Sequence, residues 1–143
     1  MKNKLKTVLF VIWILFIWSR SMRTAAQSSV ESVTTTSIVN YLMMIFGATL
    51  TEHIVRKAAH FVEFALLGLL GINAINRFSV TAAICLTVGS IDEIIQRFFP
   101  GRSCQLSDVV LDFVGALAGI ITYYFLRFIM TKAKRKFSSG NRG

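Results

Sequence analysis

The stretch "RKAAHFVEFALLGLL", residues 56–70, places an arginine, a lysine, a histidine and a glutamate at the head of an apolar run. The run extends from about Ile54 to Ile75, and about 20 apolar residues suffice to cross a bilayer. The whole chain has the same character. Of its 143 residues 54% are hydrophobic and 16% charged, with a single proline, whereas a soluble domain carries about a quarter charged residues. An integral membrane protein of one domain, residues 1–143, is the class this implies. The formal charge of +9 suggests nucleic acid only until its distribution is seen. Lys2, Lys4 and Lys6 open the chain, and Lys132, Lys134, Arg135, Lys136 and Arg142 close it. Basic flanks beside apolar spans follow the positive-inside rule, and nucleic-acid binding is rejected.

Four spans are predicted: about 7–19, 54–75, 78–98 and 108–130. The first, "TVLFVIWILFIW" (7–18), is short enough for a signal-peptide core, but Arg20 and Arg23 stand before the small residues of "TAAQ" (24–27). That disfavours cleavage and indicates a retained span with Trp18 and Lys6 at the interfaces. Residues 19–36, rich in Ser, Thr and Gln, are predicted to be a polar loop. "SIVNYLMMIFGATL" (37–50) sets Ile38, Tyr41, Leu42, Ile45 and Phe46 on one helical face. It is too short to span and is expected to be an extracytoplasmic interfacial helix between spans 1 and 2. Asn76-Arg77 and Pro100-Gly101 are turns, and the terminal "SSGNRG" (138–143) is expected to be disordered. The fold class is therefore an all-α four-helix membrane bundle. Both termini are cytoplasmic, and the loops 19–53 and 99–107 face outward. Cys85, in an apolar run, and Cys104, in a loop, are predicted to be free thiols.

This topology gives the costly residues of 56–70 a common address. Arg56, His60 and Glu63 share one helix face at i, i+4, i+7. Asp92, Glu93 and Gln96 lie in the last turns of the third span, and Asp108 and Asp112 open the fourth. Glu63 lies about 10 Å below Arg56, and Asp92 about 9 Å below Phe98, so the groups share a depth. Each charge facing lipid would cost about 2.5–3.5 kcal/mol, so the five acids Glu63, Asp92, Glu93, Asp108 and Asp112 should face inward. Arg56 and Arg102 are their natural counter-ions. Gly115 and Gly119 continue the face of Asp108 and Asp112, where a Gly-x-x-x-Gly pair admits a close helix. Lys57, Arg97, Glu52 and Arg77 are read as interface anchors.

The inward set is open to three chemistries. Glu63, Asp92, Glu93 and Asp108, with His60 as proton carrier, suit general acid–base catalysis. The spacing His60-x-x-Glu63 recurs in helix-bundle metal sites and suits a divalent metal. Arg56 and Arg102, with Gln96 and Asp112 beside them, suit a phosphate or carboxylate gripped bidentately. A nucleotide loop, a serine nucleophile elbow and a Cys/His zinc pattern are all missing from the sequence.

Three segments carry a resemblance: "RKAAHFVEFALLG" (56–68), "DEIIQRFFPGRSCQLSD" (92–108) and "DVVLDFVGALAG" (108–119), with "WSRSMRTAAQSS" (18–29) supporting them. Together they resemble the VanZ-like family, named for a teicoplanin-resistance membrane protein. The resemblance implies a four-span protein of the bacterial cell membrane and puts Arg56, His60, Glu63, Asp92, Glu93, Gln96, Arg102 and Asp108 on recurrent polar positions. It implies no reaction. Asp112 departs from the pattern, in which Asn is usual. The expectation is a protein whose outward pocket binds or modifies an envelope-associated ligand or lipid, with glycopeptide resistance as the implied outcome. A proton-coupled transporter or its accessory subunit, and a purely structural or assembly protein, are the alternatives. Transport is disfavoured by the nearly apolar "LLGLLGINAI", "VTAAICLTV" and "IITYYFLRF".

Overall fold

The computed structural model describes residues 2–44, 49–102 and 104–140, with the side chains of Lys2 and residues 135–140 excepted. These residues form five helices and no strand: α1 (Lys2–Ser21), α2 (Ala25–Met43), α3 (Glu52–Ile75), α4 (Phe78–Arg97) and α5 (Leu106–Gly140). Three of them, α3, α4 and α5, are long and apolar enough to cross a membrane. The predicted first span lies within α1, which reaches that measure only together with α2, as a pair bent by 108°. Lys4, Lys6 and Arg20 are what hold α1 alone below it.

Residues 19–36 are not the predicted loop. α1 runs to Ser21, and α2 begins at Ala25. Thr24 and Gln27 form a capping box: the Gln27 amide donates to Thr24 Oγ1, and the Thr24 amide donates to Gln27 Oε1. That satisfies two orphan donors of the first turn. Further along, Thr34 donates to the Val30 carbonyl and Ser37 to that of Val33, so polar side chains bond within the helix instead of breaking it. Of the expected interfacial helix at 37–50, residues 37–43 are the end of a longer helix that starts at Ala25. Ile45 and Phe46 of its expected apolar face lie outside the described residues, as does Asn141–Gly143 of the terminal segment, whereas Ser138–Gly140, expected to be disordered, continue α5. None of the residues of α2 is buried. Its end is fastened by Asn40, whose side chain donates to the Leu50 carbonyl and accepts from the Leu50 amide at 3.0 and 2.7 Å.

The turns fall where the sequence places them. Asn76, left-handed at φ 56°, ends α3 and sends the chain directly into α4. Gly101, at φ 79°, reverses it after Pro100, and the Pro100 carbonyl accepts from the Ala25 amide at 3.1 Å, tying this turn to the start of α2.

Packing centres on α3, whose most extensive contact is with α5. Small residues make that approach possible. A Cβ on Gly119 would strike the Ala65 carbonyl, one on Gly115 the Phe61 carbonyl at 2.6 Å, and one on Gly68 the Ala116 carbonyl. The Gly-x-x-x-Gly pair read from the sequence is thus the α3–α5 seam. Phe10, Ile17, Phe64, Leu67, Cys85, Val88 and Ala116 form the core. Outside it, Leu66, Leu86, Val114, Ile121 and Phe125 are exposed, the arrangement expected of helices solvated by lipid. Trp18 turns inward. Its indole N–H donates to the Val88 carbonyl at 3.4 Å and packs on the core, and Trp13 likewise bonds the Glu63 carbonyl at 2.9 Å. Cys85 is buried and Cys104 exposed, and both are free.

Candidate functional site

The end of α1, the starts of α3 and α5, the end of α4 and the near part of α2 meet at one end of the bundle. Every acidic residue of the chain is there: Glu31, Glu52, Glu63, Asp92, Glu93, Asp108 and Asp112. Four are ion-paired. Arg20 Nε lies 3.1 Å from Glu63 Oε1, Arg56 Nη2 2.6 Å from Glu52, and Lys57 Nζ 3.1 Å from Asp108, while Arg23 pairs with Glu31.

The remaining three acids are the buried ones. Asp92 and Asp112 expose none of their surface and Glu93 exposes 2%. Asp92 accepts from the Ser21 hydroxyl and, at 2.7 Å, from Gln96 Nε2. Glu93 accepts from the Gln105 amide at 2.9 Å. Neither oxygen of Asp112 has a hydrogen-bond partner among the described residues, and His60 Nδ1 lies 3.9 Å from one of them. Facing this trio is Arg102, half-buried in the α4–α5 loop, with no ion pair among the described residues and a 3.2 Å bond from Nη1 to the Ser21 carbonyl. Burial lowers the pKa of its guanidinium, while Asp92 and Glu93 oppose that shift.

Two clefts open onto these groups. One, of about 530 Å³, lies under α2 and is lined by Arg20, Ser28, Glu31, Ser32 and Glu63 among others. The second, of about 700 Å³, lies between α3, α4 and α5 and is lined by Lys57, Glu93, Gln96, Asp108 and Asp112 among others. Arg56, His60 and Arg102 are common to both walls.

All nine residues singled out by sequence therefore reach this end, but not in the expected pairs. Arg56 does not neutralise the inner carboxylates: Glu52, one turn before it, takes its Nη2, and Ser32 accepts from its Nε at 3.3 Å. Asp108 lines the cleft with Glu93 and Asp112 but is partly exposed and bound to Lys57. Lys57 and Glu52, read as interface anchors, are partners within the cluster. Arg20 and Ser21 were overlooked. The available signal was their place at the end of the first span, at the depth of Asp92.

The fold and this cluster define a small polytopic α-helical membrane protein with its ionisable groups gathered at one end. A family model described as VanZ/LLP1 matches residues 6–127, and the chain belongs to that family. No curated protein and no solved structure matches it.

Proposed function

We propose that the chain is a single four-span domain, with the bent α1–α2 pair supplying the first crossing. Its polar end opens on the outer face of the bacterial cell membrane, with both termini in the cytoplasm. There it binds an anionic, envelope-associated ligand through Arg102 and Arg56, and glycopeptide resistance of the VanZ type follows from that binding. One observation carries this reading: Arg102 and Arg56 stand in the wall shared by both clefts, and Arg102 has donors left over. A planar guanidinium with free N–H groups in a half-buried site suits a phosphate or carboxylate. Below the cluster the core is Phe64, Leu67, Cys85, Val88 and Ala116, which offers a proton or ion no polar route through a single chain. That favours binding over transport.

The test is purification of the whole chain in nanodiscs of native lipid, followed by native mass spectrometry. A co-purifying anionic molecule is expected, and it should be absent from the Arg56→Ala/Arg102→Ala double variant. Equal retention by the double variant, or no bound anion in either, would remove the reading.

Orientation is checked separately through the two cysteines. Cys104 should react with a membrane-impermeant maleimide in intact cells, whereas buried Cys85 should react only after denaturation. Labelling of Cys104 only in opened cells would place the clefts in the cytoplasm.

Glu63 offers a further check. Its carboxylate is 15% exposed and its ion pair is with Arg20. Arg20 itself is 39% exposed, so Arg20→Ala should cost about 1 kcal/mol of stability in detergent melts. Arg20→Ala/Glu63→Gln should regain much of it. A single Arg20→Ala variant as stable as the parent would show that the pair is screened by solvent.

A further inference from the structure

We infer that His60, Asp92 and Asp112 form a binding site for one divalent transition-metal ion of the zinc class. The geometry is the first support. One ligand atom from each residue lies within 4.8 Å of the other two, while tetrahedral zinc ligands stand about 3.4 Å apart. Small torsions of His60 and of Asp112, which no hydrogen bond restrains, close that gap.

The second support is independent of the clustering. Asp112 is fully buried, and both of its oxygens lack a hydrogen-bond partner among the described residues. A buried carboxylate without partners costs several kcal/mol, and its oxygens point at the imidazole and at Asp92. Charge gives the third. Asp92, Glu93 and Asp112 face a single guanidinium, that of Arg102, because Arg20, Arg23, Arg56 and Lys57 are each taken by another acid. The two negative charges left over are those a dication neutralises.

The surroundings complete the site. Ser21 and Gln96 each donate to Asp92, the kind of outer contact that orients a ligating carboxylate, and its oxygens retain lone pairs for a metal. One nitrogen and two oxygens without a thiolate select zinc or a neighbouring first-row ion rather than calcium, which takes six to eight oxygens. His60 and Asp112 also line the larger cleft, so the remaining coordination positions open towards it. The site does not depend on the anion reading above.

The whole chain, purified in nanodiscs and stripped with EDTA, would be titrated with Zn²⁺ and its bound metal counted by plasma mass spectrometry. One equivalent per chain is expected. Affinity should fall at least ten-fold in Asp112→Asn and in His60→Gln and stay unchanged in Glu31→Gln, an acid of the same end outside the ligand set. Absence of stoichiometric zinc in the parent protein, or undiminished affinity in Asp112→Asn, would overturn the site and leave protons to neutralise the trio. If either variant fails to fold, Co²⁺ in the parent chain decides: tetrahedral d–d bands without thiolate charge transfer support the site, and their absence refutes it. Anion retention is measured on the same samples, so loss of one property with the other intact shows which proposal fails.

Discussion

Gly119→Ala should unfold much of the protein in detergent, although alanine is the better helix former by roughly 1 kcal/mol. The added methyl would fall on the Ala65 carbonyl, a backbone atom that cannot turn aside. α3 and α5 must then separate along the seam that also holds Gly68 and Gly115. A cost of about 3 kcal/mol is expected, at the upper end for overpacking. Gly89→Ala is the control, since its methyl would meet side-chain atoms and no backbone, the edge of the Phe64 ring at 3.3 Å and Asp112 Cβ at 3.5 Å. It should change stability by less than about 1 kcal/mol. Equal melting of both variants in a thermal or SDS titration would mean that α3 and α5 lie farther apart than described.

Arg102→Ala should weaken retention of the anionic ligand by thirty-fold or more, the equivalent of about 2 kcal/mol, the low end for removing one partner of a desolvated charge pair. Arg102→Lys should recover only part of this, because a point ammonium cannot present two parallel N–H groups. Teicoplanin resistance of a deletion strain carrying each variant should follow the same order, parent above lysine above alanine. Full activity of Arg102→Lys would show that charge alone is read there. Full activity of Arg102→Ala would exclude the residue from the binding surface.

The depth of the cluster was legible because helical rise is fixed. Counting from Arg56 to Glu63 and from Phe98 back to Asp92 brings both acids to one level whatever the packing. The pairings were not legible, because they depend on which neighbour each face of α3 meets. Lys57 is one residue from Arg56, yet it is drawn to Asp108 on α5, while Arg56 turns to Ser32 on α2. Arg20 reaches Glu63 only because α1 lies against α3. α2 was legible in principle. Thr24-x-x-Gln27 is a capping-box signal, whereas the prediction of a loop rested on the Ser-, Thr- and Gln-rich composition alone. The orphaned state of Asp112 could not be read in advance, since it requires knowing what lies around a side chain rather than along it.

The gathering of every acid at one end makes the molecule an electric dipole across the bilayer. Lys4, Lys6, Arg77, Arg127, Lys132 and Lys134 belong to the opposite end, where Arg127 bonds the Asn76 side chain at 3.3 Å. With the acidic end outward, an inside-negative voltage draws that basic end inward, at about 2.3 kcal/mol per charge per 100 mV. To invert in an energised cell, the protein would have to carry several such charges against the field. In the proposed orientation the membrane potential would hold the clefts facing out after insertion has ended, and any ligand they take would arrive from that side.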